Sequence, residues 1–137
     1  MFRPSPELAR GDPSKLLQPL ERLVQLSVTQ RRAGLVPELF STGVRYREEP
    51  PGQDEWLTAL ESFSAYRRSL QTGQPAYIDC EDLCIWLTAD CRLRGLDARC
   101  VIKLVRPGLM HCLVYLPTTD RFLDPSRALG MGRRMPL

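Results

Sequence analysis

Cys80 stands in the run Asp79-Cys80-Glu81-Asp82-Leu83, an acidic helix start followed by apolar residues at helical spacing. A cysteine in the first turn of a helix meets unpaired backbone N–H groups and the positive end of the helix dipole, which favour thiolate over thiol. The same N–H groups can hold the oxyanion formed when that thiolate attacks a carbonyl, so one feature serves both activation and transition-state stabilisation. The charges of Asp79, Glu81 and Asp82 oppose thiolate formation, so a cationic partner is required. The chain offers a single imidazole, His111.

His111 lies in an alternating run in which Met110, Cys112, Val114 and Leu116 share one face and His111, Leu113 and Tyr115 the other. Asp124 falls on the next extended piece. A turn that pairs Leu116 with Arg121 sets Leu113 opposite Asp124, and a tighter turn that pairs Leu116 with Thr119 sets His111 opposite it. Either register puts His111 and Asp124 on one face. The carboxylate can then bond one ring nitrogen and aim the other at the thiol. The sequence holds no asparagine, so an orienting residue must be Asp or Glu. Each position also has a plainer reading on its own: a small buried thiol, a hydrogen-bonded sheet histidine, a turn carboxylate before Pro125. Order, face and helix terminus together meet the requirements of one thiol mechanism.

These residues need a scaffold of helices followed by strands. Residues 1–13, with Pro4, Pro6, Gly11 and Pro13, read as an N-terminal arm that packs on a partner or stays mobile. Residues 14–137 form one domain. Leu16, Leu20, Leu23 and Val24 predict a first helix over about Pro19 to Ala33, closed by Gly34. Val44 to Glu48 is a short extended piece ended by Pro50, Pro51 and Gly52. Asp54 then caps a second helix through Trp56, Leu57, Leu60, Phe63 and Tyr66, which Gly73 and Pro75 end. The third helix runs from Asp79–Asp82 to before Gly95, with Leu83, Cys84, Leu87 and Cys91 on one side. Cys100 to Val105, Met110 to Leu116 and Arg121 to Asp124 follow as a meander, the first pair turning at Pro107-Gly108. Helices first and an antiparallel sheet last define an α+β fold.

The 137 residues suit one domain, and 43% hydrophobic with 26% charged residues is ordinary globular composition. No apolar run has the length of a membrane span, and Met1 to Gly11 lacks the apolar core of a secretory leader; the expectation is a cytoplasmic protein with no membrane partner. Nineteen basic against sixteen acidic residues give a net charge of +3, with the arginines in scattered pairs, so no nucleic-acid partner is expected. Five cysteines without a C-x-x-C pair fit neither a disulfide framework nor a zinc ribbon. A metal site on Cys80, Cys84, His111 and Cys112 would need His111 and Cys112 to leave opposite faces, so no metal is expected; Cys84, Cys91, Cys100 and Cys112 are read as core thiols.

Asp79-Cys80-Glu81-Asp82-Leu83, the strand with His111, and Phe122-Leu123-Asp124-Pro125-Ser126 resemble the transglutaminase-like superfamily, in its Cys, His, Asp order. The resemblance extends upstream through Val44 to Tyr46 and Asp54 to Trp56, over roughly residues 43–131, about two thirds of the chain. It implies a papain-like core around Cys80, His111 and Asp124, no cofactor, and attack on a peptide or protein amide as peptidase, amidase or acyltransferase. A small bacterial or bacteriophage-type member is implied, either cytoplasmic or virion-associated, with other proteins contacted through the N-terminal arm. The family commonly has Gly-Asp-Cys before the helix, where this chain has Tyr77-Ile78-Asp79. Gln74 and Tyr77 are therefore the candidates for the second oxyanion donor. The alternative is a virion or assembly protein that keeps the fold without turnover.

Overall fold

A computed structural model describes residues 1–4, 12–50, 54–106 and 109–132. The Pro107-Gly108 turn, the stop at Pro51 and Gly52 and most of the arm lie outside the described residues. Asp12 accepts from the Ser14 amide at 3.0 Å and starts a 3-10 turn, Pro13–Leu16, which runs into helix α1, Leu17–Arg32. Pro19 sits in the first turn of α1, where its missing N–H costs no helical hydrogen bond. Leu20, Leu23 and Val24 bury the inner face of α1.

Helix α2, Ala59–Thr72, starts later than expected, and Asp54 is not its cap. Thr58 Oγ1 accepts from the Glu61 amide at 3.2 Å and Glu61 Oε1 from the Thr58 amide at 3.1 Å, a reciprocal capping box. The preceding residues are claimed elsewhere. Trp56 exchanges two backbone hydrogen bonds with Phe2, at 2.7 and 2.8 Å, and the Leu57 amide donates to Asp82 Oδ1 at 2.8 Å. The described start of the arm thus packs on this chain through Phe2, whose ring lies 5.1 Å from that of Trp56. Gly73, at φ 75°, ends α2.

Helix α3, Cys80–Leu93, is the centre of the molecule. The expected apolar side understates it, because Leu83, Cys84, Ile85, Trp86, Leu87, Thr88 and Ala89 are all buried. A helix apolar on every side must be covered on every side, and α1, α2 and the sheet enclose it. Trp86, the largest fully buried side chain, donates to the Pro37 carbonyl at 3.0 Å and meets Phe63 edge-on. Arg31 pairs with Asp90, whose other oxygen accepts the Leu39 amide at 2.9 Å, and Arg92 grips Glu21 through both terminal nitrogens at 2.6 and 2.8 Å. These bonds fix the axis of α3 against α1.

The sheet is an antiparallel meander, β1-β2-β3, of Arg99–Arg106, Leu109–Leu116 and Arg121–Leu123. Leu116 pairs with Arg121, the wider of the two expected turns, and Lys103 pairs with His111. Cys112 and Val114 face the core. β3 ends one residue short of the expected strand, and Asp124 instead caps a short helix α4, Pro125–Ala128, accepting from the Arg127 amide at 3.3 Å. Val44 to Glu48, expected as a short extended piece, joins no sheet. It is held by the Tyr46 amide on the Leu129 carbonyl at 3.0 Å and the Arg47 amide on the Ile78 carbonyl at 2.9 Å. The architecture is mixed α+β, with four α-helices and a three-stranded sheet toward the C-terminus among the described residues. Among the described residues no helix is long and apolar enough to cross a membrane.

Candidate active site

Cys80 is the first residue of α3, where the leading amides have no intrahelical carbonyl partner. That end abuts β2, and His111 and Asp124 close in from the sheet and the cap of α4. His111 Nε2 and Asp124 Oδ2 are 3.0 Å apart, which leaves Nδ1 as the ring nitrogen for the thiol. All three expected residues line one cavity of about 910 Å³.

The electrostatics favour an ion pair. Cys80 is held below the ordinary thiol range, first by a hydrogen bond from the Cys112 side chain, then by His111 and the Cys112 backbone; burial and Glu81 oppose this. His111 is raised to about 9, chiefly by its hydrogen bond with Cys80 and then by Asp124, against the cost of burial. An acidic thiol beside a basic imidazole exchanges its proton to give thiolate and imidazolium. The other four cysteines go the opposite way. Burial pushes Cys84 and Cys91 up and Cys100 to about 12, and Cys112 rises through its donation to Cys80 and its own burial.

Two of the three carboxylates flanking Cys80 do not oppose the thiolate as the sequence suggested. Asp82 is fully buried, accepts the Leu57 and Asp79 amides, and is held well above the carboxylate range by burial and then by Glu81. Asp79 is also raised, by burial and then by its hydrogen bond with Glu81. Neutral acids add no repulsion. Glu49, raised to about 7, and Asp54, raised to about 6, join the same cavity wall; burial is the main cause for both.

Gln74 and Tyr77, the expected candidates for the second oxyanion donor, stand apart from this cavity, and neither lines it. Gln74 is exposed on another face, its amide bonded to Thr72, and Tyr77 is covered by the Arg47 guanidinium at 5.5 Å. Tyr46 does line the cavity, and its phenol is raised by burial and then by Cys80, so it keeps its proton. Sequence reasoning missed Tyr46 as a site residue. Cys112 was also missed, since strand alternation turns it from His111; the end of α3 meets β2 so closely that both reach the sulfur.

Ligand atoms that a metal ion could share converge in three groups among the described residues: Cys80, Glu81 and Cys112; Glu49, Asp79 and Asp82; Asp54, Asp79 and Glu81. Cys84 and His111 belong to none of them. No protein-family model, curated protein or solved structure matches the chain.

Proposed function

We propose that this chain is a thiol-dependent acyl-transfer enzyme of transglutaminase-like type, with a papain-like core, that attacks a peptide or side-chain amide through Cys80. The observation that carries the reading is the 3.0 Å contact between His111 and Asp124 in the same cavity that Cys80 lines, with the thiol at a helix N-terminus. The thiolate attacks the amide carbon, and the leading amides of α3 and the Tyr46 hydroxyl hold the oxyanion. The imidazolium then gives its proton to the departing nitrogen, the C–N bond breaks and a thioester remains. Neutral His111 next takes a proton from water or an amine as either attacks the thioester, and the free thiolate returns with its imidazolium partner. Asp124 fixes the ring and its tautomer throughout.

A second reading, an assembly or virion protein without turnover, draws on one observation: Cys80 is only 8% exposed. Trapping separates the two. A glutamine-mimic electrophile should form an adduct on Cys80, found by peptide mapping and lost in His111→Ala. Absence of any adduct, with the protein recovered as a stoichiometric part of a larger particle, supports the assembly reading.

A further inference from the structure

Cys112 is a buried nucleophile that takes no covalent part in the acyl-transfer chemistry, and it stands against the one thiol that chemistry needs. The sulfurs of Cys80 and Cys112 lie within 4.8 Å of each other and of a Glu81 carboxylate oxygen. Both cysteines are free, and they come from different elements, the first residue of α3 and the middle of β2. Cys80 lines the large cavity and Cys112 does not, so a small reagent entering there meets Cys80 first. A disulfide holds its sulfurs about 2.05 Å apart, so each sulfur here has at most roughly 1.4 Å to close. Rotation about the two Cα–Cβ bonds is the motion available. Cys80 opens α3 and has no preceding helical turn to block its rotamers, and a strand residue such as Cys112 has two common ones. Cys84 and Cys100 join no such converging group, and Cys100 is instead bonded to Thr88 at 3.1 Å.

We propose that Cys80 and Cys112 form a modification site for hydroperoxides, at which the peroxide oxidises Cys80 and Cys112 closes a reversible disulfide on it. The proposal rests on the reading of Cys80 as nucleophile. The Cys80 thiolate attacks one peroxide oxygen, an S–O bond forms as the O–O bond breaks, and the departing oxygen takes a proton from the His111 imidazolium. The two electrons given up by sulfur reduce the peroxide to water or an alcohol, and Cys80 is left as a sulfenic acid. The Cys112 sulfur then attacks that sulfur. An S–S bond forms, the S–O bond breaks, and the hydroxide leaves with the Cys112 proton as water. The disulfide caps the nucleophile and stops acyl transfer. It also holds Cys80 short of the sulfinic and sulfonic acids, which thiols do not reverse, whereas a dithiol restores both cysteines. Zinc fits this pair less well, since a closed site takes four protein ligands, three donors converge here, and Glu81 is already bonded to Asp79.

Hydrogen peroxide added to the full chain, followed by alkylation of the remaining thiols and peptide mapping without reductant, tests the pair. Cleavage after Glu81 separates Cys80 from Cys84. The Cys80 and Cys112 peptides should appear joined, labelling of Cys80 by iodoacetamide should fall at least about ten-fold, and dithiothreitol should return it to within about two-fold. In Cys112→Ser the sulfenic acid has no resolving partner, so dimedone should trap it on Cys80 and excess peroxide should make the loss of labelling permanent. Circular dichroism confirms that the variant folds, and the linkage map of the parent chain decides the matter without any variant. Sulfenic or sulfinic acid on Cys80 with Cys112 unlinked, or a bond from Cys80 to Cys84, overturns the pair and leaves the nucleophile standing. Oxidation of another cysteine ahead of Cys80 removes the nucleophile and the pair with it.

Discussion

Replacing Asp124 with asparagine changes one atom position at the centre of the site, and the structure says which. Asp124 Oδ1 accepts the Arg127 amide at 3.3 Å, so the asparagine oxygen must take that place and its NH₂ must face His111 Nε2. The ring then accepts at Nε2 and carries its proton on Nδ1, toward the thiol, so it can no longer receive a proton from Cys80. Exchanging a charge-assisted bond for a neutral one costs about 1–1.5 kcal/mol of imidazolium stability, so His111 falls from its raised value of about 9. The loss of the tautomer weighs more, and acylation should slow by about 10²–10⁴-fold. Asparagine is as good an N-cap as aspartate, so α4 and the melting temperature should hold. Burst kinetics with an activated p-nitrophenyl ester, followed against pH beside a melting curve, measure both. A variant that acylates within about three-fold of the parent, or that loses activity only by unfolding, refutes the positioning of His111 by Asp124.

Glu49→Gln should stabilise the fold at neutral pH. A carboxyl raised from 4.5 to about 7 in the folded state costs stability once pH exceeds the unfolded value, and glutamine keeps the 2.8 Å bond to the Glu55 amide; the gain, about 1 kcal/mol after solvent screening, should be full above about pH 7 and vanish below about 4.5 in melting curves. Trp86→Ala should cost about 3–5 kcal/mol in urea unfolding, from the cavity it leaves and the orphaned Pro37 carbonyl; a loss under about 1 kcal/mol would mean that α3 is not the centre of the core.

Much of this was legible in the residues because the signals were local and periodic. The start of α3 at Asp79-Cys80, the meander and the shared face of His111 and Asp124 follow from a cap pattern and strand alternation, and the structure repeats them. What was not legible depends on contacts between distant segments. Trp56 and Leu57 have helical character, yet Phe2 and Asp82 take their backbone groups and move the cap from Asp54 to Thr58. Tyr46 lies on a segment with no strand partner, placed only by the Leu129 and Ile78 carbonyls, so no period pointed it at the cavity. Cys112 obeys strand alternation and still reaches Cys80, because the helix end lies against the strand itself.

The central claim is that Cys80 is a thiolate paired with His111 in the resting protein. Brief alkylation with iodoacetamide across pH 4–10, with peptide mapping of all five cysteines, tests it most directly. Cys80 should label first, with a rate that rises well below the ordinary thiol range and shifts upward by more than one pH unit in His111→Ala. Labelling of Cys84 or Cys112 ahead of Cys80 in the folded protein, or a Cys80 profile with an ordinary thiol midpoint that His111→Ala leaves in place, would contradict the account.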